Sequence, residues 1–296
     1  MDELRFAKYH GAGNDFVLID DLEDRVRLSP GLIAAICDRH LGVGADGVIR
    51  ITRSPKAELE AGFFMDYSNA DGSVAEMCGN GIRCMGKVLY ERGHTKETTL
   101  EVDTRAGLKR LDLDVRDGHV VSVTVGMGAP AFRRGEIPML GPANEPFLLE
   151  PFEASGRTFK ASAVSMGNPH LVLFVEEDPD GFPVRDVGPL VECSERFPER
   201  TNVEFVALAD GELRARVWER GVGETMACGT GACAVAVAAN EAGLVPERAT
   251  VRFPGGALEV ERLPDGTVDL AGPAEHVFDG VLDAAWLAER AGRGAS

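Results

Sequence analysis

Short apolar runs separated by turn residues make up most of the chain, a pattern that is typical of β-strands. Gly, Asp and Pro residues interrupt these runs at short intervals, so we expect hairpin-like connections and mostly antiparallel sheet. The clearest candidate strands are 16–19, 98–103, 120–125, 171–175 and 250–253.

Two segments show helical spacing instead. The first carries apolar residues from Ile82 to Leu89, and we expect its helix to end near Gly93. The second, ACAVAVAAN from Ala232, is apolar on nearly every side and is expected to end near Gly243. A helix without a polar face is buried, so this pattern predicts a helix at the centre of a fold.

Three sequence motifs occur twice, in the same order in each half of the chain. The copies lie 150, 154 and 156 residues apart. They are CGNGIRC from Cys78 with CGTGACA from Cys228, GNDFVLI at Asn14 with GNPHLVLF at Asn168, and GADGVIRI at Asp46 with TNVEFVAL at Asn202. Three pairs in register predict two similar lobes.

We therefore expect an α+β fold in which each lobe is a mostly antiparallel curved sheet wrapped around a central helix. The N-terminal lobe is predicted to span 1–129 and the C-terminal lobe 130–276, with 277–296 packing back on the first lobe. A pseudo-twofold axis would relate the lobes and leave the active site in the cleft between them. The tail 283–296 is predicted to form a short helix without an assigned role.

Composition and charge limit the possible partners. The 296 residues are 44% hydrophobic and 27% charged, enough for two compact domains. A formal net charge of -17 without a basic patch argues against nucleic acid and anionic membranes as partners. The acidic N-terminus lacks the features of a signal peptide, and no stretch has the length of a membrane helix, so we expect a cytoplasmic protein with reduced cysteines.

Two cysteines precede predicted helices, and each is followed by glycine. At a helix N-terminus the macrodipole and unpaired N–H groups favour a thiolate, so we expect the pKa values of Cys78 and Cys228 to be lowered. The glycines permit close approach of an anion such as a carboxylate. Two such sites related by symmetry suit the inversion of a stereocentre, because one thiolate removes an α-proton and the opposite thiol returns one.

The other four cysteines are interpreted as core residues rather than catalysts. They are Cys37, Cys84, Cys193 and Cys233. No close Cys-x-x-Cys pair occurs, so a structural metal site is not expected. We favour chemistry without a cofactor, although six lysines leave a pyridoxal enzyme open.

Five blocks of the sequence together resemble the diaminopimelate epimerases along nearly the whole chain. The blocks are HGAGNDFVLID from His10, NADGSVAEMCGNGIRC from Asn69, MGNPHLVLFV from Met166, ERTNVEFV from Glu199 and ERGVGETMACGTGACA from Glu219. Proline racemases and PhzF-type isomerases share the two-lobe architecture. A proline racemase is expected to read MCGHG at the first cysteine, where this chain reads MCGNG.

The resemblance implies an isomerase that interconverts LL- and meso-diaminopimelate without a cofactor, for lysine and cell-wall precursor synthesis. It implies that Cys78 and Cys228 are the catalytic acid/base pair and that His170 and Glu219 tune their protonation. The residues that it assigns to substrate binding are Asn14, Asn69, Gly79, Asn80, Asn168, Asn202, Glu219, Arg220, Gly229 and Thr230.

The sequence departs from the family at two places. Trp218 stands where tyrosine is common, and Gly47 stands where some members carry a glutamine that touches substrate. Two alternatives stay open: an isomerase of the same architecture that acts on another amino acid, and a non-catalytic amino-acid-binding or thiol-redox protein. A homodimer is expected only because it is the commonest assembly of such enzymes.

Overall fold

The computed structural model describes residues 3–56, 62–209 and 211–291. The chain divides into two compact units: unit 1 comprises Met1–Val125 and Pro273–Ser296, and unit 2 comprises Gly126–Gly272. The lobe limits deduced from the sequence stay a prediction. The helix predicted within 283–296 is present as Ala284–Ala291, and positions 292–296 lie outside the described residues.

Unit 1 is built from eight strands and three helices among its described residues. In chain order they are β1 (Leu4–Gly11), β2 (Asn14–Asp20), α1 (Pro30–Cys37), β3 (Gly47–Arg53), β4 (Phe63–Asn69), α2 (Gly79–Glu91), β5 (Thr99–Thr104), β6 (Gly107–Arg116) and β7 (His119–Gly128), with β17 (Glu275–Leu282) and α5 (Ala284–Ala291) returning at the end of the chain. The strands pair in the order β17-β1-β2-β3-β4-β5-β6-β7.

Unit 2 repeats this arrangement. Its elements are β8 (Glu150–Ala154), β9 (Arg157–Ser165), β10 (Pro169–Phe174), α3 (Val184–Glu192), β11 (Asn202–Ala209), β12 (Glu212–Glu219), β13 (Gly223–Thr225), α4 (Gly229–Glu241), β14 (Arg248–Phe253), β15 (Gly256–Arg262) and β16 (Val268–Gly272), with short 3-10 turns at Arg134–Glu136 and Pro179–Gly181. The strands pair in the order β8-β9-β10-β11-β12-β14-β15-β16, and β13 also pairs with β12.

The two units share their connections as well as their strands. Each contains two parallel pairs, β2–β3 and β4–β5 in unit 1, and β10–β11 and β12–β14 in unit 2. A helix lies in each crossover, as parallel neighbours require. The remaining described pairs are antiparallel, which confirms the mixed α+β fold expected from the sequence.

A buried helix occupies the centre of each unit. In α2, all residues from Gly79 to Gly86 are buried, and α4 is buried along almost its entire length. Helix α4 contacts β9, β10, β11, β12, β14, β15 and β16, while α2 contacts β1, β2, β3 and β6. Both helices end shortly before the glycines predicted to stop them, Gly93 and Gly243, which have φ of 77° and 69°.

A second apolar cluster in each unit packs on the other helices. In unit 1 it joins α1 and α5 to β1, β2 and β3, and includes Ile36 and Leu287. In unit 2 it surrounds Phe182 and Phe205, whose rings stack 4.7 Å apart. Among the described helices, none is long and apolar enough to cross a membrane.

Candidate active site

Cys78 and Cys228 are the residues that precede the two central helices. Both have extended backbone conformations, with φ of -134° and -126°, and the helices begin at Gly79 and Gly229. The predicted position of each cysteine at a helix start is therefore confirmed. The Cys78 side chain is half-buried, whereas Cys228 is buried.

The third residue of each helix is a glycine because a strand lies directly against the first turn. A Cβ on Gly81 would lie 2.7 Å from Cδ1 of Ile49, and a Cβ on Gly231 would lie 2.8 Å from Oε1 of Glu204. No side chain fits at either position without displacing its neighbour. Each thiol-bearing helix start is thus in close contact with one residue of β3 or β11.

In unit 1 the Cys78 sulfur faces an amide oxygen. The Sγ atom lies 3.6 Å from Oδ1 of Asn14, which also accepts a hydrogen bond of 3.1 Å from Nδ2 of Asn80. On its other side, the Asn14 amide donates from Nδ2 to Oδ2 of Asp46 at 2.7 Å. The Asp46 carboxylate therefore fixes the Asn14 amide with its oxygen toward the thiol.

Asp46 belongs to a network of charged side chains. Arg39 binds both Asp15 and Asp46 at 2.7 Å, and Lys8 lies 2.5 Å from Asp15. Burial alone would raise the pKa of Asp15, but hydrogen bonds from Arg39 and Lys8 lower it to about 2. Burial dominates at Asp46 and raises its pKa, although the Asn14 hydrogen bond opposes this shift.

A fully buried arginine holds the first turn of α2. The Arg83 guanidinium donates to the Gly79 carbonyl at 3.2 Å and to Oδ1 of Asn80 at 2.9 Å, and its Nε reaches the Pro273 carbonyl at 3.4 Å. Because the oxygen of the Asn80 amide faces Arg83, its nitrogen faces Asn14. Arg83 therefore determines how Asn80 meets Asn14.

Asn69 lies at the end of β4, opposite Gly47 in the register of β3 and β4. Its Nδ2 atom donates to Oγ of Ser73 at 3.0 Å within the following turn. Gly47 in turn lies opposite Phe16 of β2, so Asn69 belongs to the same strand-end region as Asn14.

In unit 2 the Cys228 sulfur has several polar neighbours. It lies 3.4 Å from Oγ1 of Thr230 and accepts a 3.4 Å hydrogen bond from the Gly231 N–H. The Glu219 carboxyl group also bonds to Cys228, and it accepts a 2.5 Å hydrogen bond from Thr225. The sequence-predicted residues Cys228, Thr230 and Glu219 are thus in direct contact.

A second set of predicted residues connects to this thiol through Thr230. Asn168 donates from Nδ2 to Oγ1 of Thr230 at 3.4 Å, and its Oδ1 lies 3.0 Å from Nε2 of His170. The other ring nitrogen of His170 lies 2.7 Å from Oε1 of Glu204. His170 and Glu204 have no exposed side-chain area.

The expected lowering of the Cys228 pKa is wrong. Burial of the thiol and the nearby charges of Glu219 and Glu204 raise its pKa well above the ordinary value, and hydrogen bonds from Thr230 and the Gly231 N–H oppose the rise without overcoming it. Burial also raises the pKa of Glu219, against the hydrogen bonds of Thr225 and Cys228. Desolvation outweighs the helix dipole here, so Cys228 favours the protonated thiol.

Asn202 and Arg220 form a separate contact in unit 2. The Asn202 amide donates to the Pro169 carbonyl and accepts from the Arg220 N–H, both at 2.9 Å. The Arg220 guanidinium donates to the Glu199 carbonyl at 3.1 Å and is otherwise exposed. Asn202 therefore connects the loop that carries Arg220 to the start of β10, directly after Asn168.

The sequence did not single out Asp46, Arg83 or Glu204 as part of these networks, nor the supporting residues Lys8, Asp15 and Arg39. The sequence signal for Glu204 was an acid within the apolar strand sequence NVEFVALA, and Asp46 lies in a repeated motif. In the described ranges, no group of three or more His, Cys, Asp or Glu side chains is arranged to hold a metal ion.

Known proteins similar to this chain share both its sequence and its fold. The sequence model of the diaminopimelate epimerases matches residues 6–133 and 162–277. Diaminopimelate epimerase of Pelotomaculum thermopropionicum is 49% identical over 281 residues, covering 94% of this chain and 98% of the relative. That of Desulforudis audaxviator is 50% identical with the same coverage.

Solved structures of lower identity show the same fold. A hydroxyproline epimerase from Agrobacterium vitis superimposes with a TM-score of 0.70 at 15% identity, covering 96% of this chain and 94% of that protein. A PhzF-family phenazine biosynthesis protein from Bacillus anthracis gives 0.67 at 18% identity, with 95% and 99% covered. From the sequence match over most of its length, the chain belongs to the diaminopimelate epimerase family.

Proposed function

We propose that this chain is an isomerase that interconverts LL- and meso-diaminopimelate, a step in lysine and peptidoglycan-precursor synthesis. Relatives that match over nearly the full length at 48–50% identity are named diaminopimelate epimerase. The observation that carries the proposal is the occurrence, in each of two similar units, of a cysteine directly before a glycine-rich helix.

The proposed chemistry needs no cofactor. In one direction the Cys78 thiolate accepts the α-proton from one face of the substrate, and the Cys228 thiol donates its proton to the opposite face of the carbanion. In the reverse direction the two sulfurs exchange these roles. The raised pKa of Cys228 supports its role as the acid in the first direction.

The helix starts supply the electrostatic stabilisation that a carbanion requires. We propose that the N–H groups of α2 and α4, with Gly79, Asn80, Gly229 and Thr230, hold the carboxylate of the reacting end. The distal amino-acid end is assigned to Asn14, Asn69, Asn168, Asn202, Glu219 and Arg220. An arginine binds a carboxylate through two parallel hydrogen bonds, and the Arg220 guanidinium is exposed for such contact.

The direct test is incubation of the reduced protein with LL-diaminopimelate in deuterated water without pyridoxal phosphate. We expect meso product that carries deuterium at the inverted α-carbon, measured by chiral chromatography and mass spectrometry. Absence of both product and label would reject this substrate. Label that appears only after pyridoxal phosphate is added would reject cofactor-free chemistry.

Both thiols are required in this mechanism. Cys78→Ala and Cys228→Ala are each expected to abolish epimerisation while circular dichroism stays unchanged, because each removes one proton carrier. The expected core position of Cys193 is wrong, because its side chain is exposed in unit 2. Cys193→Ala is therefore the matched control, and it is expected to retain full activity. An active Cys78→Ala or Cys228→Ala protein contradicts the two-base mechanism.

Two further proposals accompany this function. The first is a cytoplasmic location, which agrees with six cysteines that are not joined in disulfides in the structure. The second is a homodimer, which multi-angle light scattering tests directly. A monomer at the concentration of the activity assay would reject it.

A further inference from the structure

Glu204 is a fully buried acid that the proposed chemistry does not use. Its Oε1 atom lies 2.7 Å from Nδ1 of His170, and its Oε2 atom has no hydrogen-bond partner among the described residues. Burying a carboxylate oxygen without a partner costs free energy of folding. Stability of the fold therefore does not explain why position 204 carries a glutamate.

A continuous path of hydrogen bonds leads from Glu204 to the Cys228 sulfur. The carboxylate accepts from Nδ1 of His170, and the other ring nitrogen faces the oxygen of the Asn168 amide. The nitrogen of that amide donates to Oγ1 of Thr230. The threonine hydroxyl keeps its own hydrogen and lies 3.4 Å from the Cys228 sulfur, so it is able to donate to a thiolate there.

The equivalent amide in unit 1 has the opposite orientation. There the nitrogen of Asn14 donates to Asp46, and its oxygen faces Cys78. An acceptor beside an asparagine attracts the amide nitrogen, whereas a ring N–H attracts the amide oxygen. The side chain behind each asparagine thus sets which amide atom faces the thiol: the oxygen in unit 1 and, through Thr230, the nitrogen in unit 2.

We propose that Glu204 is a positioning residue for Cys228: by its hydrogen bond to Nδ1 of His170, it holds the ring against Asn168, whose amide in turn holds the Thr230 hydroxyl beside the sulfur. A donor stabilises the thiolate that Cys228 becomes once it has given its proton to the carbanion. The effect on rate rests on the proposed epimerase function. The effect on the His170 ring does not.

The His170 ring can be observed directly by ¹⁵N NMR of protein labelled at histidine. We expect Nδ1 of His170, identified by the loss of its signals in His170→Leu, to carry the hydrogen that bonds to Glu204. In Glu204→Gln, which keeps the shape and removes the charge, that hydrogen is expected to lose its protection from exchange with solvent. An Nδ1 without hydrogen in the unaltered protein, or unchanged exchange in Glu204→Gln, overturns the proposal whether or not the protein is an epimerase.

The rate provides the second measurement. Glu204→Gln is expected to lower kcat by roughly tenfold to 100-fold, the size of effect that a misplaced catalytic group produces, with a smaller change in KM. The matched control is Asp103→Asn, which alters a buried acid of unit 1 that binds Lys56 at 2.5 Å. The control is expected to retain kcat within about twofold, as for a residue away from the reacting groups.

Outcomes of the rate experiment separate positioning from general stability. A fall in kcat for Glu204→Gln at an unchanged melting temperature supports the proposal. An unchanged kcat, or an equal fall in Asp103→Asn, contradicts it.

Discussion

The strands that support the two thiol-bearing helices differ at equivalent positions. Ile49 lies under the start of α2 and Glu204 lies under the start of α4. The neighbouring strands β2 and β10 carry Phe16 and His170, and all four side chains are without exposed area. The register of the parallel pairs makes these residues counterparts, since Phe16 lies opposite Gly47 and His170 lies opposite Asn202. The backbone is repeated, but the electrostatic surroundings of the two thiols are not.

The two units are alike at the helix starts and differ in the strand residues beneath them. The helix starts retain cysteine, glycine and a small polar residue in both units, as the proposed binding of a carboxylate at each would require. The positions one layer below are free to differ, and they set the orientation of the neighbouring asparagine. In unit 1 the support is apolar, and Asp46 orients the Asn14 amide. In unit 2 the buried His170 and Glu204 orient the Asn168 amide.

Removing one member of the buried His170–Glu204 pair is expected to have the largest effect on stability. His170→Leu leaves the Glu204 carboxyl group buried without its partner, so the free energy of unfolding should fall by about 3–5 kcal/mol. Urea denaturation measures the change. His119→Leu, at an exposed histidine, is the control and is expected to change stability by less than about 0.5 kcal/mol. Equal stability of the two variants would contradict a buried acid–imidazole pair.

Replacing both members sharpens the comparison, because it gives unit 2 an apolar support like that of unit 1. His170→Leu/Glu204→Val has similar total volume, and its stability should equal or exceed that of the unaltered chain by up to about 4 kcal/mol. Epimerisation should still fall by about 100-fold, since Asn168 loses its orientation. A double variant as unstable as His170→Leu alone would show that packing, rather than charge, controls this layer.

The charged network of unit 1 gives a smaller, pH-dependent effect. Asp15 has its pKa lowered to about 2 by Arg39 and Lys8, from an ordinary value of 3.8. A lowered acid pKa stabilises the fold above the unfolded-state pKa, and the contribution disappears as the pH falls from about 4 to about 2. Asp15→Asn should therefore cost about 2 kcal/mol at pH 7.

The measurement is the free energy of unfolding of both proteins across this pH range. The difference between them should shrink as the solution is acidified. A difference that is constant with pH would mean that Asp15 acts by packing alone.

The sequence predicts the framework of this site well. Repeated motifs indicate two similar units, and glycine after cysteine indicates a thiol at a helix start, because these features depend on local backbone requirements. Helix α3 was not predicted, since Gly188 and Pro189 interrupt the helical pattern within its nine residues. Tertiary packing stabilises that helix in spite of its poor propensity.

The charge state of the site was beyond sequence analysis. A helix dipole can be deduced from a motif, but the burial that raises the pKa of Cys228 depends on strands far away in the chain. Glu204 likewise appears in the sequence as one acid in an apolar strand. Its partner His170 lies 34 residues earlier, and only the parallel register of β10 and β11 brings the two together.

The missing side chain at Gly231 has a further consequence for how this protein can change over generations. A mutation at an interior position is usually selected on one property, how well the new side chain packs against its neighbours. Because no Cβ separates α4 from Glu204, a mutation at position 204 is selected on a second property as well, the activity of the proposed site at the start of α4. Substitutions that an ordinary core would accept would therefore be eliminated at position 204 and, because Gly81 leaves Ile49 equally close to α2, at position 49 as well. In a saturation library selected for growth, both positions should tolerate fewer replacements than buried positions that do not lie under a helix start.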